Sequence, residues 1–399
     1  MLRNRGFSIT INDLSKPFSI AILFISFLAF PARADDASLL LKDEFMQDVR
    51  HAIHLAYNME YDASLASMKE WQQEYPEHPL WDFWPILKKW WDVVADLEQE
   101  DYDDEFFEFI DQALEASDHY SNLHPDNIDS KIINAAAYGF MTRLHSNRHN
   151  WIRSVRYARR AMGYLKEIEE VHPDLPDVEF GNGMYYYFSA FLQDEFPAVR
   201  VIGWALPDGD REKGLKLLDF VAEEGVILGP ESQYFLGHIY LHYEKSYRDA
   251  FPYLEKMAEA FPQNALYTRL LIRTHFRNRN YAEASALLEQ ALNEQNFVHS
   301  SHIEKATQEE LHYMSGRIKL HERKYEAAVD DLEKSQYYSD QLTSEQKRHF
   351  QVRAGYYLGE AYLRLNDRGK ARDQFSKIAN SQTDSYVKER AENRLDYLN

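Results

Sequence analysis

The sequence predicts an all-α fold in which antiparallel helix pairs stack into a solenoid. Three observations carry that prediction. Apolar residues recur three and four positions apart through residues 35–399, the one-face pattern of an amphipathic helix. No run of alternating apolar and polar residues is long enough to argue for a sheet. An ending of an aromatic residue or histidine followed by proline occurs four times, at Tyr75-Pro76, His124-Pro125, His172-Pro173 and Phe261-Pro262, each behind the second helix of a pair. Such an internal repeat points to a quasi-linear array, which suits 399 residues better than one compact core does.

Residues 1–34 stand apart. Arg3, Arg5 and Lys16 make a basic start, Phe18 to Phe30 is an unbroken apolar run, and Ala32-Arg33-Ala34 sets small residues at the cleavage positions. A spanning helix needs about 20 apolar residues, so this run is too short to be one. Residues 1–34 are expected to be a cleaved Sec-type signal peptide, which sends the chain to the periplasm or cell envelope and leaves it no transmembrane helix. Cysteine is absent, which excludes disulfides and a lipid-anchored cysteine. Cleavage removes four basic residues and one acidic residue, so the formal charge moves from −20 to −23. That balance argues against nucleic acid as a partner, because phosphate binding needs a basic face.

Residues 35–173 read as divergent helical repeats. Leu39 to Asn58 is periodic, and Tyr61, Leu65, Met68 and Trp71 follow on one helical face. Five of the seven tryptophans lie between residues 71 and 91 and read first as packing between helices. Residues 96–118 hold eleven carboxylates; no calcium-loop spacing is present, and a solvated helix face accounts for them. Ala135, Tyr138 and Met141, then Trp151, Val155, Ala158 and Met162, give one more pair.

Residues 174–213 break the pattern with Gly181, Gly183, Gly203, Gly209 and three prolines, around an apolar, aromatic helix from Met184 to Leu192. They are expected to be an irregular insertion with a buried helix. The array then resumes over 214–399, with Ala250, Ala284, Ala328 and Ala371 at equivalent places in successive pairs.

At these residues the chain resembles the tetratricopeptide-repeat family. Leu236-Gly237, Tyr240, Ala250, Leu254 and Pro262 match one repeat of that pattern. Leu271, Ala284, Leu288 and Ala291 match the next, with Ile272 where the family has a small residue. Gly316, Ala328 and Leu332, then Leu358-Gly359, Tyr362, Ala371 and Phe375, match two more. The step from Ala250 to Ala284 equals the family's repeat length of roughly 34 residues. The next two steps, to Ala328 and Ala371, are longer and call for longer helices or loops. The resemblance implies a right-handed superhelix in which small residues let helices cross closely. A generic solenoid of HEAT-like pairs is the other parent. Residues 174–218 also resemble a hairpin of the tetratricopeptide-repeat domain 39 family.

No residue constellation argues for catalysis. The i, i+4 pairs His238/His242 and His145/His149 lack a third ligand, no G-x-S-x-G is present, and Gly209 to Gly214 lacks the end of a phosphate loop. No cofactor is expected. The resemblance implies a protein- or peptide-binding scaffold whose first helices line a groove. Carried onto this chain, the lining is Tyr234, His238, Leu241 and His242; Arg269, Arg273, Phe276 and Arg277; Tyr313, Arg317 and His321; and Tyr356, Glu360 and Arg364. Arg269, Arg273 and Arg277 stand four apart as a basic ridge, which favours an acidic, extended partner. The rival readings are a subunit of an outer-membrane assembly that uses the tryptophan-rich 71–94 segment as a contact, and a metal-binding or enzymatic helical scaffold.

Overall fold

The computed structural model describes residues 38–195, 209–293, 300–344, 348–381 and 385–398. The expected signal peptide, and Pro197, Gly203 and Pro207 of the expected insertion, lie outside the described residues. Ser38–Asn399 form one compact unit. Among the described residues every regular element is helical.

Among the described residues, eight antiparallel pairs follow one another. They are α1 (Asp43–Tyr57) with α2 (Tyr61–Ser67) and α3 (Lys69–Glu74), α4 (Leu80–Ala95) with α5 (Asp103–Leu123), α6 (Asp129–Asn147) with α7 (Trp151–Val171), and α8 (Val178–Glu195) with α9 (Arg211–Glu224). Then come α10 (Gly229–His238) with α11 (Tyr247–Ala260), α12 (Ala265–Arg277) with α13 (Tyr281–Asn293), α14 (Ser301–His321) with α15 (Tyr325–Ser339), and α16 (His349–Arg364) with α17 (Arg368–Ala379). A single helix, α18 (Ser385–Leu398), packs against α17 and α16. A wider π-type turn, Ile239–Tyr243, extends α10.

Six of these pairs share one turn conformation. Met59, His149, Lys245, Arg279, Arg323 and Asn366 all adopt positive φ, between 53° and 69°. Each sits two residues before the start of the second helix, where the left-handed conformation reverses the chain. In five of the six the second helix opens on an aromatic residue: Tyr61, Trp151, Tyr247, Tyr281 or Tyr325.

The small and large positions meet as the spacing predicts. A Cβ on Gly237 would stand 2.6 Å from Leu254 Cδ2, so only glycine lets α10 approach α11 this closely. The same pairing recurs at Gly359 against Phe375. Ala250, Ala284, Ala328 and Ala371 are fully buried at the crossings.

One expectation needs correction. The 174–213 segment is not a mere interruption, because its helix α8 lies antiparallel to α9, with Gly183 against Leu218 and Tyr187 against Gly214. The tryptophans of 81–91 pack between helices, as their spacing predicts, and not as the exposed contact of the rival reading. Trp81, Trp84, Trp90 and Trp91 are buried in the core shared by α1, α4, α5 and α6, and Trp84 donates toward Ser64 Oγ.

Candidate functional site

The residues expected to line one continuous groove divide into two groups, because the chain's own N-terminal helices cover part of that face. The ends of α1 and α4 pack against α10, α11, α12 and α14. Trp91 of α4 and Tyr57 of α1 stand ring to ring at 5.3 Å, and Trp91 meets Tyr267 of α12 at 5.9 Å. Phe261 lies 5.4 Å from Tyr57 and 5.7 Å from Tyr267. Asn264 Nδ2 donates to Tyr57 O at 2.8 Å, and Asn58 Oδ1 accepts from the Gln263 backbone at 3.0 Å. These contacts join segments far apart in the chain.

Tyr234, His238, His242, Arg269 and Arg273 belong to this covered half. Tyr234 is buried, with the Arg143 guanidinium 4.8 Å from its ring centroid. Arg143 is also stacked on Trp90 and Phe235 and pairs with Glu231, which accepts from Tyr57 Oη at 2.5 Å. His238 lies 5.7 Å from the Tyr234 ring and 4.5 Å from His242, and its Nδ1 is buried without a hydrogen-bond partner. Burial, reinforced by His242, Arg143 and Arg273, holds His238 well below the ordinary histidine range. Burial and then Arg273 bring His242 down to about 4.

The expected basic ridge is mostly consumed by the next pair. Glu310 of α14, fully buried, accepts from Arg269 Nε at 2.8 Å and from Arg273 Nε at 3.0 Å. Burial alone would raise this carboxyl, but Arg273 and Arg269 hold it below its usual range. Arg269 also donates to Ala95 O at 3.1 and 3.2 Å, so it caps the last carbonyl of α4. Arg269 and Arg273 are therefore interior counter-ions, and of the three only Arg277 is exposed.

The other half stays open as an arginine–aromatic ladder. Arg317 of α14 lies over Tyr357 of α16 at 3.7 Å, over Phe276 of α12 at 5.0 Å and over Tyr313 at 5.6 Å, and donates to Tyr313 Oη at 2.7 Å. Tyr313 meets Phe350 at 5.2 Å, and Tyr356 carries Arg390 of α18 at 4.6 Å from its ring. Tyr313 and Tyr356 are themselves buried, so they floor the ladder. Glu360 is engaged by Arg394 and by Tyr356 Oη. Among the described residues Arg277, Arg317 and Arg390 have no carboxylate within ion-pair distance, and Arg353 Nε is buried without a partner. Of the remaining lining positions, Leu241 is buried, and the His321 ring lies tilted 4.3 Å from that of Tyr281.

Phe350, Arg353, Tyr357 and Arg390 were not among the expected lining residues. Phe350, Arg353 and Tyr357 stand at i, i+3 and i+7 on α16, a spacing the sequence does display. Arg390 was missed because α18 lies beyond the last recognised pair. Among the described residues no three His, Asp or Glu side chains converge as metal ligands, and no helix is long and apolar enough to cross a membrane.

Comparison with known proteins adds one sequence match. Residues 241–300 match the family model described as Tetratricopeptide repeat. The chain is a tetratricopeptide-like helical repeat protein. The matched stretch runs from the end of α10 through α11, α12 and α13, the pairs that hold His242, Arg269 and Arg273. No curated protein matches the tetratricopeptide-like chain. Among solved structures it is similar to human IFIT1, solved as a dimer with PPP-AAAA, at 14% identity over 80% of this chain and 68% of that one, with a TM-score of 0.38. It is also similar to yeast Tom70, at 10% identity over 90% of each chain, with a TM-score of 0.30. At those scores neither likeness carries an argument about function.

Proposed function

We propose that the protein is a non-catalytic scaffold that binds an extended, acidic protein segment along the open ladder of α12, α14, α16 and α18. One observation carries this reading. Arg317 is held over the rings of Tyr357, Phe276 and Tyr313 and, among the described residues, has no carboxylate within ion-pair distance. A guanidinium set on aromatic faces is pre-organised and weakly hydrated, so a ligand carboxylate gains its charge while the rings take the ligand's apolar groups. The ladder spans four helices, which suits a segment of several residues rather than a single carboxyl group.

A peptide display library, panned on the purified protein, tests the reading. Recovered peptides are expected to be enriched in Asp and Glu, and Arg317→Glu is expected to weaken their affinity at least tenfold in fluorescence anisotropy, about 1.4 kcal/mol or more. His242→Gln, in the covered half, serves as the control and leaves affinity unchanged. Equal binding by Arg317→Glu and the native protein removes the ladder as the site.

The proposal also sets the scaffold in the periplasm or cell envelope, on the strength of the basic, apolar and small-residue order within residues 1–34. Intact mass measurement of protein recovered from its native cells tests that part. The expected mature chain begins at Asp35, and an intact N-terminus in a soluble cytoplasmic fraction overturns export.

A further inference from the structure

A second surface has no role in the ladder. From Ser130 to Lys166 the chain carries eight cationic side chains and no Asp or Glu, although its net charge is −20. Arg143, Arg148 and Lys131 of this stretch are engaged by Glu231, Asp103 and Glu167. Arg153, Arg156, Arg159 and Arg160 are exposed on α7. Among the described residues Arg153 and Arg156 have no ion-pair partner, and Arg160 reaches only the hydroxyl and ring of Tyr138 and the ring of Tyr157. At the start of α7, Trp151 is 45% exposed and Ile152 79%.

The helix beside this ridge, one pair earlier, is its opposite. On α5, Asp104, Glu108, Asp111 and Glu115 are exposed at spacings of four, three and four, which forms one acidic ridge. The two ridges are separated by a row of rings, Phe107 of α5, His145 of α6 and Tyr157 of α7, at 5.1 and 5.3 Å steps. Arg148 donates both to Asp103 and to the carbonyl of Leu97, so α5 and α7 start at the same end. Leu97, at that end, is 39% exposed.

We infer that this face is self-complementary and joins two copies of the chain in a two-fold dimer. A two-fold axis lying in the face, parallel to the helices and between them, sets α7 of one copy over α5 of the other, and the reverse. The ridges are in register for that operation. Arg156 and Glu108 sit equally far beyond the first residues of their helices, while Arg153 and Asp104, and Arg160 and Asp111, match within one position. One position is about 1.5 Å along a helix. Trp151 and Ile152 then meet Leu97 of the second copy at one end, which gives the charged seam an apolar anchor. Arginine and tryptophan exposed together are what interface centres favour, while lysine-rich patches suit diffuse electrostatic attraction. A face of two helices, each of 21 residues, is at the small end of specific interfaces, so the dimer is expected to be micromolar and salt-sensitive.

Sedimentation velocity on the purified protein, over a concentration series in 50 and 500 mM NaCl, tests the inference. The expected result is a monomer–dimer equilibrium whose dissociation constant rises at least tenfold in high salt. Arg156→Glu is expected to be monomeric, as is Glu108→Arg, and a mixture of the two variants is expected to recover a heterodimer through its one restored seam. Unchanged circular dichroism of both variants shows that each has folded. A native protein that stays monomeric at 50 mM NaCl up to 300 µM overturns the inference, and so does a dimer indifferent to Arg156→Glu. Binding of a monomeric native protein to phosphatidylglycerol vesicles, lost in Arg156→Glu, would also overturn it by assigning the face to a lipid surface. Neither variant touches the ladder, so peptide binding at Arg317 is read independently.

Discussion

Replacing Arg348 with alanine is expected to lower folding stability by about 3–5 kcal/mol at pH 7.5, the usual cost of removing one partner of a buried ion cluster. Arg348 lies just before α16 and is nearly inaccessible. It donates to Asp96 at 2.9 and 3.1 Å and to Glu309 at 2.7, 3.0 and 3.1 Å. Asp96 directly follows α4, and Glu309 belongs to α14, so one guanidinium ties together segments 252 residues apart. Without it two buried carboxylates face each other unneutralised. Urea denaturation gives the measurement, and pH supplies a check on the cause. Burial raises the Glu309 carboxyl even with Arg348 and Ser339 opposing it. In the variant that opposition from Arg348 is gone, so Glu309 takes up its proton more readily and the loss is expected to shrink by pH 5. Adding Asp96→Asn and Glu309→Gln to Arg348→Ala is expected to restore part of the stability. A loss below about 1 kcal/mol at pH 7.5, the range of an exposed ion pair, would mean that the clamp is not what holds the end of α4.

Arg348 also explains why half of the expected groove is closed. The C-terminus of α4 is gripped twice, through Ala95 O by Arg269 and through Asp96 by Arg348. Cations at a helix C-terminus are favourable in themselves, and here they arrive from α12 and from the residue that precedes α16. The N-terminal pairs are thus bound to the face that, farther along, remains open around Arg317.

The helix pairs were legible in the sequence because their signals are local. Gly237 with Leu254, and Ala250 with Ala284, Ala328 and Ala371, are fixed by spacing within a pair or between neighbours. The docking of α1 and α4 was not legible. A contact between Tyr57 and Asn264, or between Asp96 and Arg348, leaves no periodic trace, because each end is a single ordinary residue in its own segment. The Arg269, Arg273 and Arg277 ridge shows the same limit in miniature. Their spacing sets them on one face, and nothing in that spacing says that Glu310, two helices on, neutralises the first two. One sign was available. Glu309 and Glu310 sit among Ala306, Thr307, Leu311 and Met314 on the buried side of α14, and a carboxylate pair placed inward calls for cations from elsewhere in the fold.

Acid is expected to loosen the covered half before it touches the ladder. His238 of α10 faces Tyr234 and Tyr243, with Arg143 of α6 and Arg273 of α12 adding positive charge around it. His242 faces Arg273 and Arg277 of α12, against the single opposing carboxylate Glu310 of α14. An unfolded chain protonates histidine near 6.5, whereas folded His242 does so only near 4. Between those values the unfolded state binds the extra proton, so stability is fully present above about pH 6.5 and drains away as the pH falls toward 4. His242 accounts for about 3 kcal/mol of that loss, and His238 acts in the same direction. The lowered carboxyls Glu310 and Asp331, the latter held to about 2, work in a lower window, since their contribution persists until the pH drops below the ordinary carboxylate range. Urea midpoints at pH 7.5, 6.5, 5.5 and 5 therefore cover the histidine window, and the difference between the native protein and a histidine variant separates the pair from the raised carboxyls Glu309, Glu98 and Asp82, which work in the opposite direction in both proteins. The native protein is expected to lose stability over that range, and His238→Gln with His242→Gln is expected to lose less, by at least about 2 kcal/mol, the share of His242 alone down to pH 5. His145, His275 and His302, also lowered by burial, keep a residual slope in the double variant. Parallel pH profiles for the two proteins would show that the buried pair is already solvated in the folded state, and that the seam between α10, α12 and the N-terminal helices is looser than its hydrogen bonds suggest.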